Sequence, residues 1–254
     1  MNQSIQYSFR DGVARITLAK PPLNTLDTAM LQEIHDVLDP FRDDSDLKLV
    51  VFDSKGETFS AGIAAEAYQP DHVVEMLNEF NHIIEHLNQL SVPSLALVKG
   101  PALGGGFELA LFCDIVLAEE TAVFGVPEIG MGLFAPTAAI ILPQIAGRNR
   151  ALELMLTGET ITAQEAARIG LVNHVYSSAE FFEEAEAMIR KISRHSAAGL
   201  RFNHRAVDEV RLLPFDRAIR HLEDLFLNQL MLSEDAREGI SAYLQKRIPV
   251  WKNR

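Results

Sequence analysis

The chain has 254 residues, of which 48% are hydrophobic and 23% charged, and its formal net charge is −12. This length suffices for one large domain with an appendage and a substantial core. The acidic surface repels phosphate backbones, so we expect no nucleic-acid partner, and a phosphate-bearing ligand would need a local basic patch.

Residues 5–9 and 13–18 alternate between polar and apolar side chains around Asp-Gly, which predicts a two-stranded hairpin. Asp27 has the side chain and position of an N-cap, and it predicts a helix that runs through about Phe41. The apolar run LKLVVF at 47–52 predicts a buried strand. The chain therefore opens with alternating strands and helices.

A loop of small residues at 56–62 precedes a second predicted helix, which begins at Asp71 and ends at Pro93. Its apolar face follows helical spacing. That face contains Val73, Met76, Leu77, Phe80, Ile83, Ile84, Leu87 and Leu90. A buried strand at 95–98 and a third helix opening at the glycines 104–106 follow.

Short strands are predicted at 115–117 and 123–124. From about residue 136 the pattern is helical, apart from a short strand at 171–175. Pro214 and Ser233 break the last helices. Strand–helix alternation first and helices last predict an α/β fold with a helical C-terminal region, joined without a flexible linker.

The apolar run LALFC predicts that Cys113, the single cysteine, is a buried and inert thiol in a reducing compartment. The first twelve residues lack the basic and apolar regions of a signal peptide. No apolar run reaches the roughly 18 residues that span a bilayer. We therefore expect a soluble cytoplasmic protein that does not bind membranes.

The segment GPALGGGFE at 100–108 runs from a strand through three glycines into a helix. Free N–H groups at a helix start stabilise an oxygen that becomes negative during a reaction, and Glu108 lies in the first turn. The alternative is a tight turn with close packing. Leu109 replaces the last glycine of a dinucleotide fingerprint, and no phosphate-binding loop motif follows.

Two further segments have small or apolar residues around a polar group. Glu128 in FGVPEIG is flanked by apolar residues, so it is either buried and functional or an ordinary exposed glutamate. The loop ETFSAGI at 57–63 would let a ligand lie against the backbone, or it is an ordinary strand-to-helix turn.

Taken together, the segments F-S-A-G, A-L-G-G-G-F-E-L-A, C-D-I-V-L-A and F-G-V-P-E-I-G resemble the crotonase, or enoyl-CoA hydratase/isomerase, superfamily in order and spacing. T-A-Q-E-A-A-R-I-G-L-V and E-G-I-S-A-Y-L-Q-K-R extend the resemblance over essentially the whole chain. It implies a spiral of ββα units over residues 1–195 and a helical oligomerisation region over 196–254. It also implies a homotrimer or a dimer of trimers.

The resemblance implies that the amides of Ile63 and Gly105 form an oxyanion hole for the thioester carbonyl of an acyl-CoA substrate. Glu108 and Glu128 match the two acid–base positions of hydratases. Isomerases of the family usually keep one of these acids, so retention of both favours hydration or the reverse dehydration. Coenzyme A is then part of the substrate, and no cofactor or metal is expected.

The substrate-binding residues that the resemblance implies are Ala61, Ala64, Ala65, Glu66 and Phe134. Two departures from common hydratases affect them. Alanines follow Ile63 where many hydratases have an aspartate, and the stretch after Glu128 contains Phe-Ala-Pro at 134–136. This stretch resembles the branch that hydrates cyclic dienoyl-CoA esters, such as cyclohexadiene-carbonyl-CoA hydratase.

Alternative functions are a double-bond isomerase, another enolate-forming acyl-CoA enzyme, or a non-catalytic acyl-CoA-binding protein.

His82-Ile-Ile-Glu85-His86 matches a metalloprotease pattern, but we expect these side chains on the solvated side of their helix. A basic run is either a patch for CoA phosphates or, as we favour, ordinary helix surface. The run comprises Lys191, Arg194, Arg201, His204 and Arg205, and Lys246 and Arg247 fall where the family often contacts CoA.

Overall fold

A computed structural model describes residues 4–254 and has nine strands and ten α-helices within that range. The strands, in chain order, are β1 (Ile5–Arg10), β2 (Val13–Leu18), β3 (Leu49–Ser54), β4 (Ser94–Val98), β5 (Pro101–Leu103), β6 (Ile115–Glu119), β7 (Val123–Gly125), β8 (Ile161–Thr162) and β9 (His174–Tyr176). Four short 3-10 helices, Asp39–Asp43, Ala65–Tyr68, Pro127–Met131 and Leu230–Leu232, connect longer elements.

The α-helices are α1 (Thr28–Leu38), α2 (Val73–Leu90), α3 (Gly105–Phe112), α4 (Pro136–Ile145), α5 (Arg148–Thr157), α6 (Ala163–Arg168), α7 (Phe181–Ser193), α8 (Ala197–Asp208), α9 (Phe215–Asn228) and α10 (Glu234–Leu244). Helices therefore dominate after residue 136, as the sequence predicted. Within residues 4–254, no helix combines the length and the apolar character needed to cross a membrane.

Six strands form the main sheet in the order β1-β2-β3-β4-β6-β9, and only the β1–β2 hairpin is antiparallel. Alternate side chains of a strand point to opposite faces, and both faces of β3 and β4 are buried. Val50 and Phe52 of β3 face the large core with α1 and α2, whereas Leu49 and Val51 face a smaller cluster under α7. The α/β class predicted from the sequence is confirmed.

A second, three-stranded sheet has the order β5-β7-β8. Strands β5 and β7 are parallel, with Leu103 opposite Gly125, and the amide of Gly104 donates to the carbonyl oxygen of Gly125 at 2.9 Å. The carboxyl ends of both strands therefore meet at one place. The segments that follow them, α3 and the 3-10 helix Pro127–Met131, start side by side.

Several local predictions are confirmed. The carboxylate of Asp27 accepts a hydrogen bond from the amide of Met30 at 3.0 Å and caps α1. Pro214 and Ser233 directly precede α9 and α10. Cys113 is buried.

The starts of two strands, β3 and β9, differ from the predicted positions by two or more residues. Strand β3 begins at Leu49 rather than Leu47, because the amides of Lys48 and Leu49 both donate to the carbonyl of Gly12 and close a turn there. Strand β9 begins at His174, because the amide of Leu171 still closes the end of α6 on Ala166. The sequence did not predict the three-residue strand β5.

The prediction that His86 faces solvent is wrong. His82 and Glu85 are exposed, but His86 is only 1% exposed. It lies three residues after Ile83, so it shares the side of α2 that packs against α1. Burial is the main reason why the pKa of His86 falls below its usual value, and the nearby charges of Arg42 and His35 add to the effect.

Candidate active site

Glu108 is held at the start of two helices. It lies in the first turn of α3, where its own amide donates to the carbonyl of Gly104, and it is only 4% exposed. Its Oε1 accepts a hydrogen bond from the amide of Ala138 at 2.9 Å. Ala138 lies in the first turn of α4, where free N–H groups and the helix dipole attract a carboxylate. The carboxylate position is therefore fixed by backbone groups.

Glu128 reaches the same place from the other parallel strand. It follows β7 in the 3-10 helix Pro127–Met131 and is also 4% exposed. A Cβ on Gly104 would collide with Oε1 of Glu128 and lie 3.1 Å from its Cδ. Gly104 also has a φ of 49°, which favours glycine. Glycine at 104 thus lets the Glu128 carboxylate rest against the start of α3.

Burial shifts both carboxyl groups in the same direction. The pKa of Glu108 is raised to about 7: burial is the main cause, the charge of Glu128 adds to the rise, and the amides of Ala138 and Thr137 oppose it. Burial also raises the pKa of Glu128, whose Oε2 is buried with no hydrogen-bond partner in residues 4–254. Near neutral pH, one of the two glutamates can therefore be protonated while the other is ionised.

Two main-chain amides border one gap. The carbonyl of Gly62 accepts from the amide of Leu26, and the amide of Ala64 donates to Leu26, which leaves the intervening amide of Ile63 free. A Cβ on Gly105 would lie 3.5 Å from the nitrogen of Ile63, and one on Gly62 would lie 3.3 Å from the nitrogen of Gly105. Neither the Ile63 nor the Gly105 amide donates to an acceptor within the described chain. The two amides therefore lie close together, and both lack an acceptor among the described residues.

A cavity of about 180 Å³ adjoins Glu108, between α2 and residues 133–137. Its walls are mainly apolar. The lining residues are Ile63, Tyr68, Val73, Met76, Leu77, Phe80, Asn81, Glu108, Leu133, Phe134, Pro136 and Thr137. Such a lining suits an apolar ligand group that ends at a polar reacting centre.

Sequence reasoning missed Tyr68 and the helix α2 as parts of this cavity. Burial and the charges of Glu128 and Glu108 raise the pKa of Tyr68, so its phenol stays protonated beside both carboxylates. The apolar stripe of α2 is visible in the sequence, but helical spacing alone does not show which of its residues line a cavity. Val73 and Leu77 are in fact only partly buried, which leaves part of the stripe for the cavity.

Of the predicted substrate-binding residues, the structure brings only Phe134 to this cavity. Phe134 is 70% exposed and stands at its mouth. Ala61 and Ala64 instead donate backbone hydrogen bonds to Leu23 and Leu26, and Ala65 and Glu66 are exposed. These last four do not line the cavity.

The basic run mostly makes contacts within the chain. Arg201 donates to the carbonyls of Asp44 and Ser45, and His204 lies 3.1 Å from Asp114. Arg205 pairs with Glu209 at 2.6 Å. These partners favour the helix-surface interpretation over a phosphate patch. Arg247 similarly pairs with Glu238.

Comparison with known proteins gives one consistent result. Residues 8–254 match the family model described as enoyl-CoA hydratase/isomerase. The cyclohexa-1,5-dienecarbonyl-CoA hydratase of Thauera aromatica is 34% identical over 251 residues, which cover 96% of this chain and 95% of the relative. The carnitinyl-CoA dehydratase of Shigella flexneri is 34% identical over 266 residues, with full coverage of both chains.

Solved structures agree with this result. The crystal structure of an enoyl-CoA hydratase from Geobacillus kaustophilus HTA426 has a TM-score of 0.92 and 33% sequence identity, and the match covers 100% of this chain and 98% of that one. The human enoyl-CoA hydratase domain-containing protein 3 has a TM-score of 0.92 at 30% identity, over 98% of this chain and 100% of its own.

Proposed function

Because this chain belongs to the enoyl-CoA hydratase/isomerase family, we propose that it catalyses the reversible addition of water to the double bond of an α,β-unsaturated acyl-CoA thioester. The observation that carries the proposal is the meeting of two buried carboxylates, Glu108 and Glu128, at the start of α3. An exposed or widely separated pair could not divide acid and base roles in one site.

The amides of Ile63 and Gly105 bind the thioester carbonyl oxygen in this mechanism. Attack on the β carbon moves the double-bond electrons toward that oxygen, which becomes enolate-like and gains negative charge. Amides that border the same gap and have no protein acceptor stabilise this charge without having to reorient. A donor of this kind typically contributes about 10²–10³-fold in rate.

The two glutamates handle the protons. One carboxylate accepts a proton from water as the water oxygen bonds to the β carbon, and the other carboxyl delivers a proton to the α carbon of the enolate. Hydration therefore ends with the first glutamate protonated and the second ionised, the reverse of the starting state, and dehydration reverses both steps. A pKa of about 7 for Glu108 suits exchange near neutrality. This mechanism uses no metal or redox cofactor, and coenzyme A enters only as part of the substrate.

The acyl group that we propose is compact and cyclic, a cyclohexadiene-carbonyl group. A cavity of about 180 Å³ with Phe134 at its mouth suits a flat ring better than a long chain. The Thauera aromatica relative, whose name specifies a cyclohexadiene-carbonyl thioester, supports this choice.

A second candidate substrate is a hydroxyacyl-CoA such as carnitinyl-CoA, which the same reaction would dehydrate in reverse, since a carnitinyl-CoA dehydratase matches over its full length.

Turnover of a panel of thioesters tests the proposal. Purified protein is given crotonyl-CoA, cyclohexa-1,5-diene-carbonyl-CoA and carnitinyl-CoA, and the absorbance of the thioester-conjugated double bond is followed. We expect Glu108→Gln and Glu128→Gln each to lower turnover about 10²–10⁴-fold. Full activity in both variants would eliminate the glutamate mechanism.

Product analysis separates the alternative functions. An isomerase would move the double bond without adding the oxygen of labelled water, whereas a hydratase incorporates that oxygen at the β carbon. A non-catalytic acyl-CoA-binding protein would retain the thioester unchanged at every time point.

We also propose that the chain assembles as a homotrimer or a dimer of trimers through its C-terminal helices. Large apolar side chains on and around α9 and α10 are exposed, which is typical of an interaction surface. They include Leu212, Phe215, Leu227, Tyr243 and Ile248. Light scattering that gives a monomer at assay concentrations would contradict this assembly.

A further inference from the structure

Three side chains of the kinds that bind metals meet at one end of the α1–α2 interface. His35 and Asp39 are one turn apart at the end of α1, and His86 faces them from α2. The imidazole rings of His35 and His86 have centroids 5.7 Å apart. One ring nitrogen from each histidine and one carboxylate oxygen of Asp39 all lie within 4.8 Å of one another. Two helices thus supply three donors to a single point.

The two histidines also have unused nitrogen atoms. Nε2 of His86 and Nδ1 of His35 are buried, and neither has a hydrogen-bond partner among residues 4–254. His86 is only 1% exposed, so bulk solvent does not reach its Nε2. Buried polar atoms in proteins are nearly always paired, and a neutral imidazole nitrogen is the commonest metal ligand.

Arg42 is the group that opposes a cation here. Its Nε donates to Asp39 Oδ1 at 2.9 Å, and its Nη2 lies 3.5 Å from Nδ1 of His86. Arg42 and Asp39 are both exposed, and ion pairs between exposed side chains are weak. Arg42 also donates to Gln89, so its guanidinium keeps a partner if Asp39 turns away. The arginine is a competitor that can be displaced.

We propose that His35, Asp39 and His86 bind a divalent transition-metal cation of the Zn²⁺ type, with water in the fourth position. Two imidazoles and one carboxylate with an open position are a common zinc ligand set. Bonds of about 2.0–2.2 Å require the donors to close by roughly 1 Å from their present spacing. Asp39 is exposed and His35 partly so, which leaves both side chains room to do this.

The cation would tie α1 to α2. Met76, Leu77 and Phe80, two to three turns earlier on α2, line the apolar cavity beside Glu108. A bound cation would therefore restrain one wall of that cavity. The site uses none of the residues assigned to catalysis, so it does not depend on the proposed function.

Metal binding by the full-length, metal-free protein tests the proposal. Zn²⁺ is titrated against a chromophoric chelator, and Co²⁺ is added to a second sample to record the absorption bands of a tetrahedral site. We expect one saturable Zn²⁺ per chain. His35→Asn and Asp39→Asn should each weaken binding at least about tenfold, the smallest loss typical of a disturbed metal site. Both positions lie near the surface, so these variants keep the test valid if His86→Asn does not fold.

Two further variants make the test specific. Arg42→Gln removes the competing charge and should tighten Zn²⁺ binding, whereas His195→Asn, a change at an exposed histidine between α7 and α8, should leave it unchanged. Absence of saturable binding, or equal affinities in the wild type, His35→Asn and Asp39→Asn, would overturn the proposal. Weaker binding in Arg42→Gln would do so as well. Turnover of the metal-free protein, measured separately, distinguishes this outcome from failure of the hydratase mechanism.

Discussion

Replacing Glu108 by glutamine should lower activity while it raises stability. The carboxyl is only 4% exposed, and burial raises its pKa from 4.5 to about 7. Glutamine has nearly the same shape, and its side-chain oxygen can still accept the hydrogen bond from Ala138. It cannot ionise, so it avoids the cost of a buried charge.

The size of the effect follows from the two pKa values. When the folded-state pKa of an acid lies above its unfolded-state pKa, folding favours the protonated form. The stability that this protonated form contributes is fully present below the unfolded-state pKa. That contribution is lost as pH rises from about 4.5 to about 7. At 1.36 kcal/mol per pKa unit, ionisation of Glu108 lowers the free energy of unfolding by about 3 kcal/mol. Glu108→Gln should therefore gain under about 1 kcal/mol at pH 5 and up to about 3 kcal/mol at pH 8.

Urea unfolding followed by circular dichroism measures the difference between the wild type and the variant. Both proteins are compared at pH 5 and pH 8 and at one protein concentration, because assembly makes stability depend on concentration. Glu183→Gln, a change at an exposed glutamate on α7, serves as the matched control and should show no such difference. Turnover is measured in parallel and should fall about 10²–10⁴-fold in Glu108→Gln alone.

The reasoning is refuted if Glu108→Gln loses stability at pH 8 relative to pH 5 to the same extent as the wild type. That result would mean that Glu108 is already ionised at little cost in the folded protein. Loss of stability at both pH values would instead show that the glutamine amide lacks a partner in the cavity. In that case the expected gain in stability would be wrong, while the burial of the carboxyl group would stand.

Three other changes have distinct expected outcomes. Gly105→Ala would place a Cβ 2.8 Å from Cγ1 of Ile63 and 3.5 Å from the Ile63 nitrogen, so steady-state kinetics should show a kcat about 10²–10³-fold lower. Phe134→Ala removes a side chain at the cavity mouth that is 70% exposed. The free energy of unfolding from thermal denaturation should therefore change by less than about 0.5 kcal/mol. In steady-state kinetics, KM for a cyclic acyl-CoA should rise more than KM for crotonyl-CoA. The hydrogen bond with Asp114 raises the pKa of His204. The stability that this pair contributes is therefore present below pH 6.5 and is lost as pH rises through the folded-state pKa of His204. Urea unfolding of His204→Gln at several pH values should not show this loss of stability.

Sequence alone determined the features that depend on neighbours in the chain. Asp27 predicted a helix start because an N-cap bonds to an amide three residues on. The sequence also showed the helical spacing of apolar residues in α2 and the alternation of polar and apolar residues around the Asp-Gly turn. Both patterns repeat within a few residues, so they can be recognised without knowledge of the tertiary structure. The order and spacing of the motifs around Ile63, Glu108 and Glu128 carried the family resemblance, which the comparisons confirm.

Only the tertiary structure decided which of these segments meet. Glu128 lies against Gly104 because β5 and β7 pair in parallel, and no local pattern predicted the three-residue β5. His86 is buried because α1 covers that side of α2, and Tyr68 lines the same cavity as Glu108, although the two residues are distant in the chain. These contacts join residues 20 to 60 positions apart. Their geometry depends on strand pairing and helix packing, which local propensity and periodicity do not encode.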